Sequence, residues 1–394
     1  MQPAKMPPSQ ETIDIAENVL SDAFGGPVHL GKGETLQGGT RMQVYRFLVM
    51  DAPDNAPASV IVKQVKATEQ APYLPDRATM PAWTLFNEWA SLQFLHEVAY
   101  DKAFAPRFYG GNRMVGLIAL EDLGSGVRLD QLLLGNNADA AESALIEYAS
   151  IHGRMHAATI GQQSAFQSLR DALGPSVLED GRYIYDWLAP TLFQAFDLLG
   201  LTHTPKVERE LVMLKEALLH PGPFHTFIQG DSCPDNCLFV GSTLRLLDFE
   251  GGKFDHALQE GVYGRMRFPT CWCVYQLPAH IPLRMEAAYR AELMKGCPEA
   301  GDDTLFYRAV TDACVFWLID WCQMVPLSKI MEQDRHLIAA TDRQRYLARC
   351  NVVAQTTAQY GHLEATGAAI QAMAQKMRRL WPDVEEMPLY PAWR

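Results

Sequence analysis

The sequence predicts an α+β chain of two lobes, and three observations carry that prediction. Strand signals crowd the first third, between Val28 and Leu120. Helical periodicity dominates after about residue 124. The change falls in a short stretch, Leu120 to Gly124 (LEDLG), that reads as the connection between lobes. At 394 residues the chain is long enough to build two sizeable cores.

Taken in order, residues 1–10 are Pro-rich and polar and read as a disordered tail. Glu11 to Ala23 has Ile13, Ile15, Val19 and Leu20 at helical spacing. Val28 to Leu30 is a strand signal followed by Gly31, Gly33, Gly38 and Gly39, which suit turns between strands. Met42 to Met50 and Ser59 to Val65 are apolar, β-branched runs around DAPDNAPA, which predicts an antiparallel hairpin. Trp83 to Val98 predicts a helix with Leu85, Trp89, Leu92 and Leu95 on one face, and Arg107 to Gly110 and Val115 to Leu120 read as two more strands. Beyond Gly124, helices are expected over Ala140 to Thr159, Tyr183 to Leu199, Val207 to Leu219, Arg284 to Met294, Thr304 to Met324, Asp342 to Tyr360 and Leu363 to Leu380. The expected division is therefore a tail at 1–10, a first lobe at 11–123 and a helical lobe at 124–394.

Composition narrows the classes. Lys plus Arg is 34 against 46 Asp plus Glu, a net charge of −12, which weighs against a nucleic-acid partner because phosphate backbones call for basic surface. No apolar run approaches the roughly 20 residues that span a bilayer, and the N-terminus lacks the basic and apolar regions of a secretory signal. A cytoplasmic protein with no membrane partner is expected. Its eight cysteines are then expected to be thiols. Cys233 with Cys237 and Cys271 with Cys273 are spaced C-x3-C and C-x-C, unlike the usual zinc knuckle, so buried thiols are favoured over a metal site.

The chemistry concentrates between Phe227 and Glu250 (FIQGDSCPDNCLFVGSTLRLLDFE). Phosphoryl transfer needs a carboxylate to orient and deprotonate an acceptor hydroxyl, and hard oxygen ligands to hold Mg2+ on the phosphates. Asp231, Asn236 and Asp248 make that minimal set, the first two on a tight loop between short apolar strands and the third at a strand end. Upstream, Lys63 sits in the strand VIVKQV, where alternation can point its ammonium into a cleft, and Glu88 on the next helix can hold it there. Lys66 should face the other side. Gly38 and Gly39 fit a loop whose amides cover phosphates, and the backbone at Glu121 to Leu123 can meet an adenine ring. The side chains of Glu121 and Asp122 are expected to be solvated.

With these motifs in view, the chain resembles the aminoglycoside phosphotransferase and choline kinase-like family, relatives of the protein kinases. That family's catalytic loop reads H-G-D-x-x-x-x-N, and here Gln229-Gly230-Asp231 runs to Asn236. Its metal motif, I-D-[FWY]-E, is matched by Leu247-Asp248-Phe249-Glu250. Ile151 to Ala157 (IHGRMHA) is similar to the helix that packs under the catalytic loop, and Gly38-Gly39 through Val44-Tyr45 to the glycine loop. Gln229 stands in place of the usual His, and Met42 in place of the usual Asn.

The resemblance implies a protein-kinase-like fold, with a five-stranded antiparallel lobe that binds nucleotide and a helical lobe that carries the site. It implies that Asp231 is the general base, that Asn236 and Asp248 are the Mg2+ ligands, and that Lys63 with Glu88 is the phosphate-binding pair. Gly38, Gly39, Glu121 and Leu123 would complete the nucleotide site. The expected activity is transfer of a phosphoryl group from ATP, or GTP, to a hydroxyl of a small acceptor; the alternative is a non-catalytic nucleotide-binding regulator. Acceptor contacts are sought among Glu260, Glu286, Asp312 and Asp320 and the aromatic Tyr263, Trp272, Tyr275, Trp317 and Trp321.

Overall fold

In a computed structural model, residues 7–36, 41–99, 102–176 and 185–394 are described. Helix α1 (Gln10–Phe24) is capped by the Ser9 hydroxyl, which accepts from the Thr12 N–H. It covers a mixed-length antiparallel sheet of β1 (His29–Leu30), β2 (Glu34–Thr35), β3 (Met42–Asp51), β4 (Ser59–Val65), β5 (Phe108–Asn112) and β6 (Leu117–Glu121). The order is β1-β3-β4-β6-β5, with β2 also on β3, so two short segments share the edge where a five-stranded sheet is expected to have one.

Strand alternation gives the sheet two different faces. Tyr45, Phe47, Val60, Val62, Leu117 and Ala119 pack against Ala16 and Leu20 of α1 in a small core. Ile61 and Lys63 therefore look the other way, towards the interior of the molecule.

Across that second face runs α2 (Met80–Val98), which begins three residues before its apolar periodicity because Pro81 suits the first turn. The sequence predicts one apolar face; instead twelve of its residues are buried, Asn87 and Glu88 included, because the helix is wedged between the sheet and the helical lobe. The large core continues from α2 into that lobe without a break.

The lobe opens with β7 (Val127–Arg128) and helices α3 (Leu129–Leu133), α4 (Ala138–Thr159), α5 (Gln163–Leu173), α6 (Leu188–Leu198) and α7 (Pro205–Leu219). Next come β8 (His225–Ile228), β9 (Cys237–Val240), β10 (Thr243–Leu246) and β11 (Lys253–His256), in which β8 pairs with β11 and β9 lies between β7 and β10. The lobe closes with α8 (Leu258–Gly261), α9 (His280–Leu293), α10 (Asp303–Met324), α11 (Leu327–Glu332), the pair β12 (His336–Leu337) and β13 (Ala340–Thr341), α12 (Asp342–Tyr360) and α13 (Glu364–Leu380).

Helix α5 has no counterpart among the expected elements; its amphipathic pattern is short and buries mainly Phe166 and Arg170. The helix expected from Tyr183 begins at Leu188, and 177–184 lie outside the described residues. Among the described residues no helix is long and apolar enough to cross a membrane.

The fold is thus α+β, an antiparallel sheet and its helix set on a mostly helical lobe.

Candidate active site

The site lies where the free face of the sheet meets the β8–β10 loops, around a cavity of about 520 Å3. Lys63, Glu88, Glu121, Leu123, Asp231, Asn236 and Asp248 all line it. Residues far apart in sequence are thus collected into one cleft. Gly38 and Gly39 fall outside the described residues.

From the sheet side, the Lys63 ammonium donates to Glu88 Oε1. Glu88 is 2 % exposed, so this pair is shielded from water and salt. Burial works against the ammonium, but the charges of Glu88, Asp248 and Glu250 outweigh it and hold the Lys63 pKa above its usual value. The lysine is a fixed positive charge facing the opposite wall.

That wall is the loop from Gly230 to Asn236. Gly230 has φ 85°, and a Cβ there would stand 2.1 Å from the Gly251 carbonyl oxygen, so only glycine fits the turn. Asn236 donates from Nδ2 to the Asp231 carbonyl at 3.0 Å and to its Oδ2 at 3.1 Å, which orients the carboxylate. Burial, then the charges of Asp248 and Asp235, raise the Asp231 pKa to about 6.

Asp248 has φ 61°, a left-handed conformation uncommon for a residue other than glycine or asparagine. The ladder on either side enforces it. The Leu247 N–H donates to the Asn236 carbonyl at 2.8 Å, and the Gln229 amide donates to the Leu247 carbonyl. Helix α2 then holds the next few residues of the chain, with Asn87 Nδ2 donating to the carbonyls of Glu250 (2.8 Å) and Gly252 (2.6 Å). The helix that carries Glu88 therefore also positions the segment that carries Asp248. Glu250 pairs with Arg41 at 2.7 Å, while burial and the Asp248 charge raise its pKa to about 7.

Behind the loop sits a buried acid that motif spacing does not reveal. Glu260, 4 % exposed, accepts from the Gly230 N–H at 2.9 Å and the Ser232 hydroxyl at 2.6 Å, and it meets His156 Nε2 at 2.9 Å. Burial alone would raise its pKa; the His156 hydrogen bond, the neighbouring histidines and Ser232 instead bring it down to about 2. Tyr148 of α4 adds a 2.8 Å hydrogen bond to the Ser232 carbonyl. Gln229, fully buried, lies 3.3 Å from His152 Nε2, so its amide fills the bracing position between α4 and the Asp248 strand.

Several expectations are corrected here. Asp122 is anchored rather than solvated: Arg46 grips it at 2.8 and 3.0 Å, Ser59 donates at 2.7 Å, and the Gly124 N–H at 2.9 Å. Glu121 likewise accepts from the Arg107 N–H at 3.0 Å. The lobe connection is thus tied to β3 and β4, and sequence reading missed this because the partners lie 63 and 76 residues away.

Not all eight cysteines are thiols either. Cys233 of the Gly230–Asn236 loop and Cys271 are disulfide-bonded, one from each close pair, because the loop folds against residues 270–272. Of the candidate acceptor contacts, only Trp272 opens onto the site, 39 % exposed, with its indole donating to Asp235 Oδ2 at 2.8 Å. Tyr263, Tyr275 and Trp321 are buried, Trp317 donates to the Gln259 carbonyl, Glu286 pairs with Arg265, and Asp312 meets His362. Burial raises the Asp320 pKa to about 6.

An ammonium held by a buried glutamate thus faces an Asp–Asn–Asp set across one cleft, beside the segment that joins the two lobes. Solved structures to which the chain is similar include choline kinases and aminoglycoside phosphotransferases. One is the choline kinase LicA from Streptococcus pneumoniae, with 11% identity over 88% of this chain and 99% of that one and a TM-score of 0.41. Another is a thermostable mutant of aminoglycoside phosphotransferase APH(4)-Ia in ternary complex with ADP and hygromycin B (12% identity, 91% and 98% covered, TM-score 0.41). The ternary complex of APH(2")-IIa with streptomycin and ATP is similar at 12% identity, with 83% and 97% covered and a TM-score of 0.44. No family model and no curated protein matches the sequence.

Proposed function

We propose that this chain is a small-molecule kinase, which transfers the γ-phosphoryl group of ATP or GTP to a hydroxyl of an acceptor of the aminoglycoside, choline or sugar kind. The observation that carries the reading is the Lys63–Glu88 pair facing Asp231, Asn236 and Asp248 across one cavity. Asp231 accepts the hydroxyl proton as attack develops, and Lys63 sets fixed positive charge against the phosphate oxygens. The first lobe, 11–123, binds nucleotide through this face, with Gly38 and Gly39 over the phosphates and the backbone of Glu121 and Leu123 beside the base. The helical lobe, 124–394, presents the catalytic loop and receives the acceptor.

The residues fit a divalent cation. Asn236 and Asp248 are hard oxygen donors, and Mg2+ takes few protein ligands, completing its shell with phosphates and water. Burial, with the charges of Asp248 and Asp235 added, raises Asp231 to about 6, and a cation would relieve the part that comes from the crowded carboxylates. When bound, Mg2+ would neutralise charge on the transferring phosphates.

The test is ADP release on addition of ATP, Mg2+ and a panel of hydroxylated metabolites and aminoglycosides; no release with any of them, together with no Mg2+-dependent nucleotide binding, defeats the proposal. Asp248→Ala weakens Mg2+-dependent nucleotide affinity by at least about tenfold, ~1.4 kcal/mol. An unchanged Mg2+ titration removes Asp248 from the metal site.

Asp231 also sets a pH dependence. Only the ionised carboxylate can take a proton, and its free-enzyme pKa is about 6. So kcat/KM rises with pH up to about 6 and levels off above it. A profile still flat at pH 5 contradicts the role.

A further inference from the structure

A second cavity, of about 650 Å3, opens in the helical lobe between α12, the start of α9 and the segment after α13, and shares no lining residue with the nucleotide cleft. Arg265 and Arg267 form part of its wall. Arg265 is spoken for by Glu286 at 2.7 Å. Arg267 is different: Nε donates to Gln276 Oε1 at 2.7 Å and Nη1 to the Arg265 carbonyl at 2.5 Å, and among the described residues no carboxylate pairs with it.

Its backbone is left-handed at φ 59°, as is that of Phe268 at φ 49°, and the Phe268 side chain is fully buried. The turn is therefore locked, and Arg267 with it. An uncompensated guanidinium in a partly desolvated wall is costly unless something negative meets it. Burial, then the Arg265 charge, bring the Arg267 pKa down to about 10. Gln276 and Asn351 add amide donors on the same wall. Glu385 and Glu386 line the cavity too, but both are exposed to solvent, where screening weakens them. They disfavour polyanions more than a single oxyanion.

We propose that this cavity is a binding site for a small oxyanion, a carboxylate or phosphate group, gripped by Arg267 with Gln276 and Asn351. With Nε on Gln276 and Nη1 on the Arg265 carbonyl, Nη2 is the guanidinium nitrogen left to donate to either group. Residues 270–272, which follow Arg267 in the chain, border Asp231 in a separate cavity.

The test is calorimetric titration of the full chain at low ionic strength with inorganic phosphate and, separately, with succinate. The wild type is expected to bind at least one of them at a single site, and the arm that gives heat identifies the group. Arg267→Gln weakens binding by at least about tenfold. Ala348→Leu adds bulk to the cavity wall while leaving both arginines in the sequence and is expected to weaken binding as well, which keeps the test decisive if Arg267→Gln does not fold. Lys63→Ala, in the nucleotide cleft, leaves the binding intact. Absence of heat with both anions in the wild type overturns the proposal. So does binding that survives Ala348→Leu, or binding lost in Lys63→Ala. None of these readings depends on phosphotransferase activity.

Discussion

Asp231→Ala is expected to remove phosphoryl transfer almost entirely while leaving nucleotide affinity nearly unchanged. Asn236 holds the carboxylate, and in the proposed mechanism the nucleotide phosphates are met by Lys63 and the cation ligands rather than by Asp231. A positioned general base contributes about 10²–10⁴ in rate, so kcat should fall by at least that much. Asp231→Asn keeps the Asn236 contact but cannot accept a proton, and it should fall as far. Single-turnover transfer alongside equilibrium binding of a nucleotide analogue checks both halves. A variant that turns over normally would exclude Asp231 as the base, and one that loses nucleotide affinity in step would assign it to binding.

Glu260→Ala should be the most destabilising single change near the site. The carboxylate is buried and meets three groups at once: the Gly230 N–H, the Ser232 hydroxyl and His156. Its removal leaves all three unpaired in a dry interior, and each buried group left without its partner costs about 1–3 kcal/mol. Gly230 and Ser232 flank Asp231, so activity should fall with stability. The acid also predicts a pH response. Its folded pKa, about 2, lies below the unfolded value, so its stabilisation is present above the ordinary glutamate range and is lost as pH falls towards 2. Denaturant unfolding from pH 7 down to 3 should show a steeper decline for the wild type than for Glu260→Gln. Parallel curves would mean that Glu260 does not carry the effect.

Much of the fold was legible because its elements are local. The hairpin of β3 and β4 was announced by two apolar runs around a turn, and Lys63 could be given a face because strand alternation is a property of neighbours. Likewise Asp231, Asn236 and Asp248 lie within eighteen residues, with apolar strands that show where the loops begin. Helix α2 was legible as a helix but not as a buried one, since its second apolar contact comes from the helical lobe. A polar Asn87–Glu88 pair in the middle of an apolar helix was the one available sign that this helix serves a site.

By itself, then, the sequence determined the α+β class and most of the element order, and it singled out the side chains proposed to bear the chemistry, because each rests on short-range periodicity or spacing. Only the tertiary structure decided what holds that chemistry in place. Glu260 reaches the catalytic loop from 28 to 30 residues away, Asn87 reaches the Asp248 segment from more than 160, and Arg46 anchors Asp122 from 76. Cys233 meets Cys271 across 38 residues. Such partners are selected by packing, which brings together groups with no fixed interval between them in the chain, so no local pattern records the pairing.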